Sequence, residues 1–408
     1  MNPPTDLIED VPLEEDAELA AKEIPSAPAS RRTRLAAATS GMRVGALVYV
    51  GALALLLCVA EANDVFRHHS LASQAVNWDG RWYYWIAASG YPHHVLHMQT
   101  RLGFMPLYPL CMWLVSQVFG CSLVLAGVIL SAIGGFITAL LVQRLTTGWW
   151  GEEAGRRAVV LFCLFPGAVV FSMVYSEGLL LPLAAGCILA LERRRWLLAG
   201  ALAAVATAVE PDALALVVVC AVSAIIELRR LGLRNRVARR SLLAPLLAPA
   251  GAVTFAGFLW AWTGTPLATY TTQHYGWSEK TDPLALLYLV EALVSKIDFN
   301  HFNHPTINLN LVIGVVGAMV LIAGLAMLLA NPRQISPEAL TWTIVIGLLA
   351  LTSEYVWPNP RLLITAFPAV LVFAQRLRGK PYGALIASSA LLLAGLSALT
   401  YVGVTLRP

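Results

Sequence analysis

The chain has 408 residues, of which 58% are hydrophobic and 13% charged, about half the charged share of a soluble domain. The formal charge of +4 averages an acidic start against a basic remainder, since residues 1–40 hold eight acids and four bases. This composition excludes an ordinary soluble enzyme, and apolar runs long enough to cross a bilayer point to an all-α polytopic membrane protein.

Residues 1–40 carry Glu9, Asp10, Glu14, Glu15, Asp16 and Glu18 among Pro and Ala, with too few large apolar residues to build a core. They read as a disordered cytoplasmic tail, and the acidic start is not that of a secretory signal peptide. Residues 41–408 form the transmembrane domain. Long apolar runs lie at Val44–Ala60, Cys121–Gln143, Ala158–Ser176, Ser241–Trp262, Asn308–Ala330 and Pro381–Leu406. Shorter ones lie at Gly178–Leu191, Trp196–Val209, Ala213–Ile226, Ala339–Ser353 and Leu362–Ala374. A fourteen-residue helix covers about 21 Å of a hydrocarbon core about 30 Å thick. Each short run therefore needs polar flanks, a thinned bilayer or a water-lined cavity. The six cysteines are scattered through apolar runs with no C-x-x-C pair, which is how small hydrophobes are used rather than metal ligands.

Charge decides the topology. Arg31, Arg32, Arg34 and Arg43 place the N-terminus in the cytoplasm, and the clusters at 193–195 and 229–240 belong on the same side. That layout requires about 11 transmembrane helices, with Met105–Phe119 laid on the outer surface as a juxtamembrane helix. It leaves two large extracytoplasmic loops, 61–120 and 263–307. All eight histidines then fall outside, as do Asp79, Glu177, Glu210, Asp212 and Glu354, most of them at the ends of spans. A pump or channel would concentrate such groups near the midplane. Any chemistry is therefore expected at the outer face.

The first loop centres on Asn77-Trp78-Asp79-Gly80-Arg81-Trp82-Tyr83-Tyr84-Trp85-Ile86. Clustered Trp and Tyr suit a helix at the headgroup level, which puts the Asp79 carboxylate where lipid headgroups meet water. A cap for a helix starting near Gly80 is the competing role for Asp79. No P-loop or Rossmann fingerprint occurs. His93, His94 and His97 have spacings that zinc ligands use, but Pro92 and the lack of a nearby acid leave that pattern incomplete, and no D-x-D pair follows Asp79. The expectation is no cofactor and no metal site, with chemistry that is metal-independent or only weakly metal-stimulated. The basic run at 229–240 is assigned to topology and anionic lipid, not to nucleic acid.

Trp78-Asp79, Ile86-Ala87, Gly90-Tyr91 and Phe104-Met105-Pro106-Leu107-Tyr108-Pro109 resemble the first outer loop of the GPI mannosyltransferase 2 (PIG-V-like) family of GT-C glycosyltransferases, in its actinobacterial branch. The resemblance continues through Phe165-Pro166, Tyr175-Ser176-Glu177, Gly264-Thr265-Pro266-Leu267, Gln273, Trp277, Arg361 and Phe367-Pro368, from residue 44 to about 376. Two places depart from the family: Pro92-His93-His94 where an acid usually follows Gly-Tyr, and Glu210-Pro211-Asp212 where Arg-Pro is common.

The resemblance implies a GT-C-like fold with juxtamembrane helices in the first outer loop. It also implies transfer of a sugar, mannose by family, from polyprenyl phosphate to an extracytoplasmic lipid or glycan acceptor with inversion, in the plasma membrane. Asp79 is the expected catalytic base. Arg361 is the first candidate for the leaving phosphate because its fork matches phosphate oxygens, with Lys280, Arg81 and Arg101 as competitors and an interfacial anchor as the plainer role. Glu177 is either a sugar-hydroxyl acceptor or a partner for Arg361. Gln273 and Trp277 offer an amide and a stacking ring, although Trp277 also suits an interfacial aromatic. Arg81, Tyr108 and His97 complete the candidate substrate-binding set. A lipid-linked sugar flippase and an inactive lipid-sugar binding protein are the alternative functions.

Overall fold

The computed structural model describes residues 31–278, 280–295, 308–354, 356–402 and 406. The chain divides into two units, Met1–Gly41 and Met42–Pro408. Of the expected disordered tail, residues 1–30 lie outside the described residues, and from Arg31 onward the chain is helical. Lys296, His301 and His304 of the second loop also lie outside them.

The principal helices are α1 (Arg31–Arg67), α2 (Asp79–Ser89), α3 (Leu107–Phe119), α4 (Leu123–Trp150), α5 (Glu152–Leu164), α6 (Glu177–Glu192), α7 (Trp196–Thr207) and α8 (Ala215–Leu231). They are followed by α9 (Ala250–Thr263), α10 (Ala285–Ser295), α11 (Leu309–Ala330), α12 (Pro337–Thr352), α13 (Pro360–Thr365), α14 (Phe367–Arg376) and α15 (Gly379–Val402). Among the described residues the β pairing is confined to an isolated bridge between Thr281 and Ser353. Among the described residues six helical stretches are long and apolar enough to cross a membrane: Arg43–Arg67, Leu123–Trp150, Pro211–Leu231, Arg236–Thr263, Leu309–Ala330 and Gly379–Val402. Large apolar side chains such as Leu47, Leu246, Val253 and Leu391 stand exposed along them, as lipid-facing positions do. The protein is an all-α, multi-pass membrane protein.

Three runs differ from the sequence reading, each for a local reason. Ala158–Ser176 is not one straight span, because α5 stops at Leu164 and the chain turns by 66° into the 3₁₀ helix Pro166–Ser172. Pro166 has no N–H to give and holds Phe165 extended (φ −68°, ψ 141°). Leu362–Ala374 is likewise broken at Ala366, ahead of Phe367-Pro368, into α13 and α14. Ala213–Ile226 is longer than it read: Pro211–Leu231 runs through Glu227, whose buried carboxylate pairs with Arg194 at 3.6 Å.

The short helices have a simpler explanation than a thinned bilayer. Helix α6 is 16 residues long, about 24 Å, and apolar on every side, and Leu180, Leu181, Ala184, Ala185, Cys187 and Ile188 are all within 1% of complete burial. A helix apolar all round belongs inside a bundle, and α6 packs against α4 on one side and α7 on another. The α4 crossing is tight. Pro182 cannot donate to the Gly178 carbonyl, and that oxygen is turned onto α4, where a Cβ added at Gly134 would sit 1.5 Å from it. Helix α3, of 13 residues, buries Tyr108 and Met112 and exposes Leu110, Trp113, Leu114, Val118 and Phe119.

Candidate active site

Four chain segments converge at one end of the bundle. The first is the turn into α2. Trp78 adopts φ +57° and ψ −122°, Asp79 opens the helix as its first residue, and Trp78 makes no side-chain cap bond. Asp79 therefore lies one residue inside the helix rather than at its cap, the competing role it was given, and its carboxylate is turned elsewhere. The second segment is the end of the 166–176 stretch. The Val174 N–H donates to the Ala75 carbonyl at 2.9 Å, and the Asp79 N–H donates to the Tyr175 hydroxyl at 3.3 Å. These two bonds hold Tyr175-Ser176-Glu177 beside Asp79.

The third segment carries Glu210, extended at φ −151° just before Pro211 starts a 3₁₀ turn. The fourth is the entry to α13, where the Asn359 side chain accepts from the Leu362 N–H at 2.9 Å and Pro360 takes the first turn. An Asn cap with Pro just inside is a strong helix start, and it fixes Arg361 in that turn. Gly167 permits the approach, since a Cβ there would lie 2.1 Å from the Pro360 carbonyl oxygen.

The Arg361 guanidinium is shared among three acids. Its Nη1 donates to Asp79 Oδ2, its Nε to Glu177 Oε1, and its Nη2 to Glu210 Oε1 at 3.0 Å. Its Cζ lies 5.1 Å from the centre of the Tyr175 ring, a cation–π distance. Exposure grades across the cluster: the Glu177 side chain is 3% exposed, Glu210 12%, Arg361 16% and Asp79 25%. Asp79 is thus the carboxylate a substrate can reach most readily. Glu177 Oε2 is buried with no hydrogen-bond partner among the described residues. Tyr83, four residues and about one turn along α2 from Asp79, donates to Ser176 Oγ at 2.7 Å, and Ser176 donates to Glu210 Oε2. Burial, reinforced by the Glu177 charge and opposed by Arg361, pushes the Glu210 carboxyl up to about 8.

Residues 52–251 match the model of the mannosyltransferase (PIG-V) family. The structure is similar to that of ArnT from Cupriavidus metallidurans, solved with undecaprenyl phosphate, at 17% identity and a TM-score of 0.50 over 86% of this chain and 64% of that one. The chain resembles the PIG-V mannosyltransferases and has a GT-C-like fold. The oligosaccharyltransferase of Archaeoglobus fulgidus in its apo form shares 14% identity at a TM-score of 0.48, over 89% of this chain and 56% of that one. The chain therefore spans less than two thirds of the length of both proteins. No curated protein sequence matches it. The family match ends before Gln273, Trp277 and Arg361.

The other residues singled out from the sequence are dispersed around this cluster. Tyr108 is fully enclosed, donating to the Gly127 carbonyl at 2.9 Å with Ser131 Oγ at 2.8 Å and packing edge-on to Tyr83 at 5.1 Å. It supports Tyr83 from behind, and its hydroxyl is turned to α4 rather than to the Arg361 cluster. Gln273 donates to the Gly103 carbonyl at 2.8 Å, and Trp277 packs against Trp82 and Phe104. Arg81 is exposed and donates to Asn77 Oδ1 at 3.3 Å. His97 is exposed beside the Tyr275 ring, and His93 stacks on Trp262 at 4.0 Å. Glu210, Ser176, Tyr175 and Tyr83 belong to the site although the sequence reading gave none of them a role in it. The signal available was the set of acids at span ends, where Glu210 already stood.

Proposed function

We propose that the protein is a membrane glycosyltransferase that moves a sugar, mannose by family resemblance, from a polyprenyl-phosphate donor to an extracytoplasmic lipid or glycan acceptor with inversion. The observation that carries the reading is the Asp79 carboxylate, the most exposed acid of the cluster, fixed by a guanidinium that two further acids hold in place. The flanking arginines argue for a cytoplasmic N-terminus and an outward-facing site in the plasma membrane.

In this reading the acceptor oxygen attacks the anomeric carbon as the carbon–oxygen bond to phosphate breaks. The acceptor proton passes to Asp79, and the polyprenyl phosphate leaves with the bonding electrons. A positioned base contributes about 10²- to 10⁴-fold in rate. Arg361 acts as a positioning residue for Asp79. Each of its three nitrogens already donates to an acid, which leaves two of its five N–H groups, so this reading gives the leaving phosphate a second cation. Arg81 and Lys280, both exposed, are the ones this reading offers it. Glu177, the most buried acid of the cluster, acts here as a partner that holds Arg361. Glu210, where the family often has Arg, is built into the same cluster through Arg361 and Ser176, which favours a working site over an inactive one. We assign the transfer no metal.

The test is transfer of labelled mannose from synthetic polyprenyl-phosphate mannose by the purified protein, with and without EDTA, beside Asp79→Asn. Asp79→Asn should lower transfer by about 10²- to 10⁴-fold, and EDTA should leave it unchanged. Equal transfer by both proteins removes Asp79 as the base. Absence of transfer from a set of polyprenyl-linked sugars removes the transferase reading, and activity restored only by manganese removes the metal-free one.

A further inference from the structure

The cluster around Arg361 leaves unexplained an open cleft of about 400 Å³ further along α2, lined in part by Trp82, Trp85, Ser89, Gln99, Thr100 and Arg101. Its aromatic wall is fixed. Phe104 stacks on Trp82 at 5.8 Å, and Trp277 meets it edge-on at 5.3 Å. Trp85 stands edge-on to Trp82 at 5.3 Å and is 45% exposed. Arg101 donates to the Trp85 carbonyl at 3.2 Å, tying the rim to the helix. The Thr100 hydroxyl is buried and has no hydrogen-bond partner among the described residues.

Held indole faces beside an amide, two hydroxyls and one guanidinium match the chemistry of a sugar ring. The ring's C–H face packs on indole, and its hydroxyls exchange hydrogen bonds with the polar wall. An acyl chain would leave those polar groups unmet, and a phosphate would be met by one arginine amid neutral groups. The size falls within the range of small-ligand sites. The placement connects it to Asp79: Trp82 lies three residues along the same helix, about 4.5 Å of axial rise, and Trp85 and Ser89 continue the stripe at helical spacing.

We propose that this cleft is the acceptor subsite and that it takes a sugar, so that the acceptor is a glycan or the sugar headgroup of a glycolipid. The terminal ring rests against Trp82 and Trp85, the Thr100 hydroxyl and Gln99 amide select its hydroxyls, and the attacking hydroxyl is presented toward Asp79. The assignment rests on the reading of Asp79 as base.

Binding is measured apart from transfer, so failure of the subsite and failure of the transferase reading are distinguishable. The full-length protein in nanodiscs is titrated with disaccharides of mannose, glucose, galactose and arabinose, and separately with inorganic phosphate, by saturation-transfer NMR. At least one disaccharide should bind saturably, with Trp85→Ala and Thr100→Val each weakening it tenfold or more. Thr100→Val removes only a hydroxyl function, which keeps the test valid if Trp85→Ala misfolds. No saturable sugar binding, or binding indifferent to both cleft variants, overturns the proposal. So does a cleft that binds phosphate alone and loses it in Arg101→Gln.

Discussion

Arg361 and Asp79, 282 residues apart in the chain, share a hydrogen-bonded ion pair. The pair ties the first turn of α13 to the first turn of α2, and the same guanidinium reaches Glu177 and Glu210. The orientation of Asp79 is therefore set by three other segments rather than by its own helix. Removing the cation should disturb both fold and chemistry, and the two losses are separable.

Arg361→Ala leaves three acids facing one another around a space with no positive charge. Breaking a buried pair by deleting one partner costs about 3–5 kcal/mol, so a clear drop in melting temperature is expected along with loss of transfer. Arg361→Lys keeps the charge, but a compact ammonium cannot match three carboxylates arranged around a planar fork. It should melt closer to wild type while transfer still falls by about 10²-fold. Thermal unfolding and transfer kinetics on the two variants check this. Wild-type transfer by Arg361→Lys would show that the fork does not position Asp79.

Glu210 makes the site sensitive to pH. Its folded carboxyl sits at about 8, above its ordinary 4.5, so the folded protein binds that proton more tightly than the unfolded chain. The stability this contributes is fully present below 4.5 and is lost as pH rises through 8, at up to about 1.4 kcal/mol per pH unit. Melting temperature should decline across pH 5–9 more steeply in wild type than in Glu210→Gln, which has no proton to lose. In Glu177→Gln the decline should end at lower pH, because the Glu177 charge helps to hold the Glu210 proton. Parallel pH curves for wild type and Glu210→Gln would contradict the assignment.

Asp79, Glu177 and Arg361, which the structure brings together, stood out in the sequence as charged residues at the ends of apolar runs and as parts of the PIG-V-like pattern. Hydropathy fixes the level of a residue along the bundle and leaves open which ends are neighbours around it. That is why Glu210 read as one of several acids at the outer face and a departure from a familiar Arg-Pro pair, and why Glu177 remained divided between two partners. Side-chain direction was equally hidden: Tyr108, in a conspicuous Pro-Leu-Tyr-Pro run, points into the bundle toward Ser131 rather than into the site. The span reading treated Ala158–Ser176 as continuous because its hydropathy is unbroken, although Pro166 carried the signal for the turn that delivers Glu177.

Close backbone approaches yield a steric prediction. A Cβ at Gly134 would lie 1.5 Å from the Gly178 carbonyl oxygen, and one at Gly167 would lie 2.1 Å from that of Pro360, whereas one at Gly257 meets nothing within 4 Å. Overpacking typically costs 1–3 kcal/mol, and backbone cannot yield as a side-chain end can. Gly134→Ala should reduce the yield of folded protein and lower its melting temperature. Gly167→Ala, which pushes on the residue before Arg361, should lose more transfer than stability. Gly257→Ala should be silent in both assays, and equal behaviour of all three would refute the tight crossings.

Trp78 holds a positive φ immediately before the proposed base, a conformation that L-residues with a side chain adopt at a cost. Comparing two truncations isolates that cost from the packing of the indole. Trp78→Ala and Trp78→Gly both remove the ring, and only glycine takes φ +57° freely. The glycine variant should therefore unfold at higher temperature than the alanine variant, by the equivalent of about 1 kcal/mol, despite glycine's greater entropy loss on folding. It should also retain more transfer, because an alanine that relaxes toward negative φ would rotate Asp79 away from Arg361. Thermal melts and transfer rates on the pair decide it. Should the alanine variant prove the more stable and the more active, the turn before Asp79 would be an ordinary one and its geometry would carry no functional weight.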